Sequence, residues 1–295
     1  MKLMTSLKHG LALSMVFAGR MAAIEYPRQP ADPQPTGWPL TGAERAYVVE
    51  KAEHDRRPGR ESSKHLPALW PAVPTAGHWG GTSWLDTHAK LVAYVQANAG
   101  PADILLVGDS ITQQWGGPLE KGVFNEAWTT HFANHKAINI GIGGDKTQNV
   151  LWRLDHGGVE GISPRAVVLM IGNNNMFFTP ETGVAAAAQG VKACADNLRE
   201  KFPKARLIVV KILPCHAPGN RFYEDILLTN LGIEKLKLDS DPSVQVLDLT
   251  RDFLTEDGRI NPALFKPDNI HLSPEGYKVY ATRLRPLLDA ALSVK

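Results

Sequence analysis

The sequence predicts an α/β protein, an open three-layer α/β/α sandwich built on a parallel sheet. From about Ser83 onward, short apolar runs rich in Val, Ile and Leu alternate with longer segments of helical periodicity. Continuous apolar runs of this length are typical of strands that are buried on both faces. The regular order of strand and helix indicates right-handed crossovers within a single sheet.

Five strands and five helices are predicted in this part of the chain. The predicted strands are Ile104–Val107, Ala137–Ile140, Ala166–Ile171, Leu207–Ile212 and Val244–Leu247. The predicted helices are Trp84–Ala97, Gln148–Asp155, Val184–Lys201, Phe222–Leu238 and Pro274–Ala291. In such sheets, ligands bind beyond the carboxyl ends of the strands, where the strand order reverses. The unusual polar residues of this chain lie at those ends.

The composition excludes several classes of partner. The chain has 295 residues, of which 43% are hydrophobic and 21% charged, enough for a full core. Its 32 basic and 30 acidic side chains leave no basic stripe for nucleic acid or an anionic membrane surface. Beyond the first two dozen residues, no apolar run approaches the roughly 20 residues that span a bilayer. We therefore expect a small or polysaccharide-borne substrate, no nucleic acid partner and no integral membrane segment in the mature chain.

Residues 1–23 resemble a secretory signal peptide. Two lysines precede a short apolar stretch, Leu11–Ala18, and small residues follow at the proposed cleavage point. Arg20 is unfavourable for this interpretation, because it places a charge between the apolar stretch and that point. The sequence predicts a secreted or periplasmic protein, with a cytoplasmic location as the alternative.

Residues 24–80 form a predicted N-terminal extension, and residues 81–295 form the main domain. The extension is rich in proline and charge, so it cannot build a core of its own. Trp38 and Trp70 suggest that parts of it pack on the main domain. A carbohydrate-binding strap is a second possible role for this extension.

Two cysteines, Cys194 and Cys215, are present in the whole chain. A disulfide between them is conceivable in an exported protein, but a sequence separation carries no information on the distance between their Cα atoms. Two buried thiols are the favoured prediction.

The first predicted strand runs directly into Gly108-Asp109-Ser110. The glycine permits a tight turn from strand to helix, which places the serine in the first turn of the next helix. A hydroxyl group in that position is exposed, and the N–H group of the same residue points outward. Taken alone, the segment favours an ordinary turn with a helix N-cap, and only the other strand ends point to a catalytic serine.

The second and third predicted strands also end in polar or glycine-rich loops. The second ends in Gly141–Asp145, whose backbone can approach a ligand closely and whose Asp145 could cap the next helix. This loop lacks the third spaced glycine and the Gly-Lys-Ser/Thr ending of phosphate-binding turns. The third ends in Gly172–Asn175, where an amide can bond its own backbone or donate to an oxyanion.

Asp268 and His271 lie on one loop just before the last predicted helix. Their spacing lets the carboxylate reach the imidazole, fix its tautomer and stabilise the imidazolium that forms when it takes the proton of Ser110. The adjacent Cys215 and His216 are a competing candidate for a thiol nucleophile or a metal pair, although no further ligand cluster supports them. No metal and no organic cofactor are expected.

These four blocks resemble those of SGNH (GDSL-like) hydrolases, and they occur in that family's order. The resemblance covers roughly residues 105–288, with particular likeness to the catalytic subunits of the platelet-activating-factor acetylhydrolase 1b type and their bacterial relatives. The stretch Asn139–Asp145, followed by Val150–Leu154, is a specific match. The resemblance implies a flavodoxin-like sandwich with a five-stranded parallel sheet, and it makes residues 81–295 the catalytic domain.

The same resemblance implies the roles of individual residues. Ser110 would be the nucleophile, His271 the general base and Asp268 its partner. The oxyanion hole would consist of the Ser110 N–H, the Gly144 N–H and the Asn174 side chain. One departure from the family pattern is Asn173, where relatives commonly carry Thr or Ser, and it puts the local loop geometry in question.

The sequence therefore predicts a serine ester hydrolase that releases a short acyl group, with acetyl favoured. Ile111 follows the nucleophile and Ile270 precedes the base, and branched side chains at both positions would crowd a long acyl chain. Asp109 is a third predicted substrate contact. A set of residues near the motifs could line the cleft for the leaving alcohol or simply pack: Trp115, Met176, Phe177 and Phe178.

The sequence says less about the leaving alcohol than about the acyl group, and no sequence feature decides the oligomeric state. A carbohydrate ester is favoured for an exported enzyme, and a phospholipid acetyl ester, as in the mammalian relatives, is the alternative. An alternative to an enzyme is a binding or scaffolding subunit whose active site is intact but idle. The relatives make a homodimer possible.

Overall fold

The computed structural model describes residues 84–177 and 180–293. The predicted signal peptide and the extension with Trp38 and Trp70 lie outside the described residues, as do Phe178 and the side chain of Phe177. No helix within the described ranges is long and apolar enough to cross a membrane.

A five-stranded parallel sheet forms the centre of the molecule. Its strands are β1 (Gly100–Gly108), β4 (Ala137–Asn139), β5 (Ile162–Met170), β6 (Arg206–Val210) and β7 (Val244–Leu247). They lie side by side in the order β4-β1-β5-β6-β7. Numbered within the sheet alone, this is the order 2-1-3-4-5 of flavodoxin-like folds, with the reversal of strand order between β1 and β5. The predicted fold class and all five predicted strands are confirmed.

Two strands, β1 and β5, begin four residues earlier than predicted. The first residues of β1 pair with the first residues of β5, from Gly100 with Ile162 onward. These segments contain Pro101 and Pro164 and are not continuously apolar, so they carry no signal for a buried strand. Their pairing with each other, rather than their composition, keeps them in the sheet.

The helices are α1 (Trp84–Ala97), α2 (Ser110–Gln113), α3 (Glu126–Phe132), α4 (Thr147–Asp155), α5 (Pro180–Lys201), α6 (Arg221–Lys235) and α7 (Pro274–Ser293). The five predicted helices are confirmed with small shifts of their ends. The sequence did not predict α3, whose seven residues span two turns, too few for a clear periodicity. A small antiparallel pair, β2 (Gly116–Gly117) and β3 (Val123–Phe124), lies between α2 and α3.

Two hydrophobic clusters cover the two faces of the sheet. Successive strand residues point to opposite faces, so Leu105 and Val107 of β1 belong to one cluster and Ile104 and Leu106 to the other. The first cluster contains apolar residues of α1, α4 and α5, and the second contains those of α3 and α7. This double burial explains the continuous apolar runs by which the strands were predicted.

Candidate active site

Ser110 is the first residue of α2, at the carboxyl edge of the sheet. The preceding turn depends on Gly108, because a Cβ atom there would lie 2.3 Å from the backbone oxygen of Met170. The Asp109 carboxylate caps the short helix by accepting a hydrogen bond of 3.1 Å from the Ile111 N–H. The serine therefore lies where the strand order reverses between β1 and β5, the expected ligand position in this fold.

Ser110, His271 and Asp268 form a continuous hydrogen-bonded chain. His271 Nε2 lies 2.9 Å from Ser110 Oγ, and His271 Nδ1 lies 2.7 Å from Asp268 Oδ2. The second carboxylate oxygen, Oδ1, accepts the backbone N–H groups of Ile270 and His271, each at 2.9 Å. This turn places Asn269 at a φ of 58°. The structure thus brings together the three residues that the sequence singled out.

The environment of Asp268 keeps it ionised. Desolvation opposes ionisation, but the hydrogen bonds from the His271 ring and from two backbone N–H groups outweigh it and lower the pKa of Asp268 to about 2. An ionised carboxylate at Nδ1 favours the tautomer in which Nδ1 carries the proton. The Nε2 lone pair then faces the serine hydroxyl group.

The loop that carries Asp268 and His271 is fixed from two sides. The backbone N–H of His216, in the β6–α6 loop, donates to the Asn269 carbonyl at 3.1 Å. Lys266 donates through Nζ to Gln114 Oε1 at the end of α2, at 2.7 Å. The nucleophile helix and the loop of the base are therefore connected by a direct contact outside the Ser–His pair.

The predicted oxyanion donors come from three neighbouring strand ends, those of β1, β4 and β5. Gly144 has a φ of 73°, a conformation that favours glycine. The Asn174 side-chain amide donates to the backbone oxygen of Asp145 at 3.0 Å, so these two loops are in contact. The Gly143 N–H donates to Gln113 Oε1 at 2.8 Å. This bond connects the glycine loop, Gly141–Asp145, to α2, the helix that begins with the nucleophile.

Asp145 does not cap the helix that follows it, contrary to the prediction. Its side chain points into the core, where Oδ1 accepts the Trp84 indole N–H and Oδ2 pairs with Arg153 Nε, both at 2.7 Å. The buried guanidinium requires a counter-charge, and Asp145 supplies it. The first turn of α4 is capped instead by Asn175, whose Oδ1 accepts the Thr147 N–H at 3.1 Å.

The three predicted substrate contacts occupy different environments. Asp109 is 1% exposed, and burial raises its pKa to about 7. Ile111 is 3% exposed and belongs to the core cluster beneath α7. Ile270 is half-buried and packs against the small cluster around Met176. The side chains of Asp109 and Ile111 therefore face the interior rather than the site, and only Ile270 has a surface next to the base.

The aromatic and sulfur-containing residues near the motifs serve packing where the structure describes them. Trp115 is 1% exposed and contacts Tyr277 edge to face, with ring centroids 4.7 Å apart. Met176 is buried in a cluster with Ile212 and Cys215. Neither side chain forms a cleft wall.

The alternative site at Cys215 and His216 receives no support. Cys194 and Cys215 are both free and buried, as predicted. Burial raises the pKa of Cys215 to about 12, so its thiol stays protonated at neutral pH. Within residues 84–177 and 180–293, no three side chains of His, Cys, Asp or Glu are grouped so that they could hold a metal ion.

Several supporting residues were not predicted, because their partners are distant in sequence. Gln113 contacts the glycine loop 30 positions away. Asn139, at the end of β4, donates to the carbonyls of Thr112 and Gly116 and accepts the Gly141 N–H. An asparagine at the end of an otherwise apolar strand was the one signal that could have pointed to this role.

Comparisons with known proteins place this site in a family. The sequence profile of the GDSL-like lipase/acylhydrolase family matches residues 106–279, which include Ser110, Asp268 and His271. The platelet-activating factor acetylhydrolase IB subunit alpha1 of Homo sapiens is 32% identical over 227 residues, which cover 77% of this chain and 91% of that protein. The chain belongs to the GDSL-like lipase/acylhydrolase family. As a member of this family it is a serine ester hydrolase.

Solved structures of GDSL-like proteins share the fold. A GDSL-like lipase from Bacteroides thetaiotaomicron superimposes with a TM-score of 0.52 at 19% identity, covering 69% of this chain and 98% of that one. An acetyl xylan esterase from Geobacillus stearothermophilus superimposes with a TM-score of 0.50 at 15% identity, covering 63% and 94%. At these identities the likeness establishes the common architecture alone.

Proposed function

We propose that this chain hydrolyses carboxylic esters with short acyl groups, acetyl above all, through an acyl-enzyme on Ser110. The observation that carries the proposal is the unbroken hydrogen-bonded chain from Ser110 Oγ through His271 to Asp268. Its order, hydroxyl, imidazole and carboxylate, is the one that activates a serine nucleophile.

Acylation begins when Ser110 Oγ attacks the ester carbonyl carbon and its proton passes to His271 Nε2. The imidazolium that forms is stabilised by the ionised Asp268 at Nδ1. His271 then gives the proton to the alcohol oxygen as the carbon–oxygen bond of the ester breaks. The alcohol departs, and the acyl group remains on Ser110 Oγ.

Deacylation repeats these steps with water. His271 takes a proton from a water molecule, whose oxygen attacks the acyl carbon, and returns that proton to Ser110 Oγ as the acid leaves. In both steps the carbonyl oxygen becomes negative, and the N–H groups of Ser110 and Gly144 and the amide of Asn174 are the proposed donors to it. Ser110 and Gly144 offer backbone donors, and an amide nitrogen has two protons, only one of which Asn174 needs for Asp145.

The preference for an acetyl group is supported by similar proteins more than by the two isoleucines near the triad. Ile111 packs into the core, so it does not narrow the acyl site, and Ile270 is the remaining branched side chain beside the base. The names of similar proteins, an acetylhydrolase subunit and an acetyl xylan esterase, favour an acetyl group. A carbohydrate ester remains the proposed substrate, in keeping with the predicted export of the protein.

A phospholipid acetyl ester is the second candidate. It is supported by the 32% identity with the platelet-activating factor acetylhydrolase IB subunit alpha1, over 91% of that protein. Both candidates use the same chemistry at Ser110 and differ only in the alcohol that leaves.

A substrate panel tests the proposal. Hydrolysis of p-nitrophenyl acetate and p-nitrophenyl octanoate would be measured first, followed by acetylated xylan and an acetyl glycerophosphocholine, each with wild type and Ser110→Ala. We expect acetyl to be preferred over octanoyl, acetylated xylan over the phospholipid, and at least about a 10⁴-fold loss in the variant. Preference for octanoyl would contradict the acetyl assignment, and preference for the phospholipid would replace the carbohydrate substrate.

A further inference from the structure

We propose that the buried pair of Asp145 and Arg153 is a positioning element that holds the three oxyanion donors in register. The inference rests on the proposed function, since it assumes that Ser110, Gly144 and Asn174 bind the oxyanion. Neither Asp145 nor Arg153 touches the reacting atoms, so both would act through the backbone and side-chain groups that they hold.

Arg153 joins the glycine loop to the strand of the nucleophile. Its Nε lies 2.7 Å from Asp145 Oδ2, and its Nη2 donates to the Gly108 carbonyl at 3.0 Å. Gly108 is the last residue of β1, two positions before Ser110. The planar guanidinium fork thus fixes the distance between the start of α2 and the loop that contains Gly144.

Asp145 extends this link to the third donor. It follows Gly144 directly, and its backbone oxygen accepts the Asn174 side-chain amide at 3.0 Å. Its other carboxylate oxygen accepts the indole N–H of Trp84 in α1, at 2.7 Å. Any displacement of the Asp145 side chain would therefore move the Gly144 backbone and the Asn174 amide together.

The energetics favour a positional role over a stabilising one. The side chains of Asp145 and Arg153 are 0% and 1% exposed, so both charges have lost their hydration. Apolar side chains of similar volume are often as stabilising as a buried ion pair, or more so. Apolar side chains form no directional hydrogen bonds, however. They could not connect the end of β1 with the loop of Gly144 as the Arg153 guanidinium does.

Two variants separate position from stability. Trp84→Phe removes one donor to Asp145 and leaves both charges in place. The double variant Asp145→Asn/Arg153→Met removes both charges, so that no unpaired buried charge remains, and keeps an oxygen for the Trp84 indole. Val95→Ala, in the same helix and the same core cluster as Trp84, is the control for loss of packing. The melting temperature of each variant would be measured alongside kcat and KM for p-nitrophenyl acetate.

We expect the double variant to lose at least about tenfold in kcat and Trp84→Phe about threefold, with KM changed less than twofold in both. The Val95→Ala control should match Trp84→Phe in melting temperature and keep the kcat of wild type. A general structural role would instead lower the active fraction in proportion to stability, in the control as in the variants. Equal kcat in Trp84→Phe, the double variant and wild type would overturn the proposal.

A double-mutant cycle with Asn174→Ala links the pair to the oxyanion donors. If Asp145 and Arg153 act through Asn174, then Asn174→Ala costs less kcat in the double variant than in wild type. Equal costs in the two backgrounds would contradict a role through Asn174. No loss for Asn174→Ala in wild type would overturn the oxyanion assignment itself, and the positioning role with it.

Discussion

The two halves of the site are held in place by different means. Asp268 and His271 lie on a surface loop, with side chains 45% and 28% exposed, and are fixed mainly by hydrogen bonds to nearby backbone. The glycine loop is anchored by Asp145 and Arg153, which are buried in the core. Deacylation requires that a water molecule reach His271, whereas the oxyanion donors must be held in fixed positions. Substitutions in the first half should therefore reduce activity with little effect on stability, and substitutions in the second should affect both.

Among substitutions that leave the nucleophile intact, the largest effect is expected for Asp268→Asn. The amide would donate to His271 Nδ1 and favour the wrong tautomer, so kcat should fall by about 10³-fold or more. The melting temperature should change little, because the Asp268 side chain is almost half exposed. Steady-state kinetics and thermal unfolding of the same preparation would measure both quantities. A large drop in melting temperature would mean that the surface loop also supports the fold.

Asn174→Ala should have the next largest effect, a loss of about 10²-fold in kcat, because one oxyanion donor is removed. Its hydrogen bond to the Asp145 carbonyl is lost as well, so a modest fall in melting temperature should accompany the loss. Asn98→Ala is a matched control near the amino end of β1, where the amide donates to the Tyr94 carbonyl. An unchanged kcat in Asn174→Ala would remove Asn174 from the site.

Asp109→Asn should alter the pH dependence of stability. Because burial raises the pKa of Asp109 to about 7, the folded protein retains a proton that the unfolded chain has already released above about pH 4. Its contribution to stability is therefore complete below about pH 4 and is lost as the pH rises to about 7. As the pH rises from 5 to 8, wild type should therefore lose about 3 kcal/mol of unfolding free energy that Asp109→Asn retains. Urea unfolding at both pH values would measure this difference, and a difference that is the same at both would contradict it.

The smallest effect is expected for Tyr277→Phe. The Tyr277 hydroxyl group, on α7, donates to the Ile111 carbonyl at 2.7 Å and so connects the last helix to the nucleophile helix. Loss of one buried hydrogen bond should cost about 1 kcal/mol of unfolding free energy. The kcat should fall less than threefold, because the Ser–His pair is left intact. Tyr94→Phe, in the partly exposed part of α1, is a suitable control. A large loss of activity in Tyr277→Phe would contradict this prediction and show that catalysis depends strongly on the position of α2.

The triad residues Ser110, Asp268 and His271 were predictable because the sequence patterns that mark them are local. Ser110 lies two positions after the glycine that ends an apolar run, and Asp268 precedes His271 by three positions on one loop. The strands were predictable for a similar reason, since burial on both faces produces a continuous apolar run.

The hydrogen bonds that hold the proposed oxyanion donors in place were not predictable, because each joins residues that are distant in sequence. Trp84 is 61 positions from Asp145, and Gln113 is 30 positions from Gly143. The burial of the Ile111 side chain was not predictable for a related reason. In a helix of four residues no periodicity shows which side faces the core, and the packing under α7 decides it.

Labelling with a serine-directed fluorophosphonate tests the central claim most directly. Wild type, Ser110→Ala and His271→Ala would be treated with the reagent, and the modified peptide would be identified by mass spectrometry. We expect rapid modification of wild type on Ser110, none at this position in Ser110→Ala and a much slower reaction in His271→Ala, because the base activates the hydroxyl group. No modification of Ser110 in folded wild type, or equal rates in wild type and His271→Ala, would contradict the assignment of Ser110 as a nucleophile activated by His271.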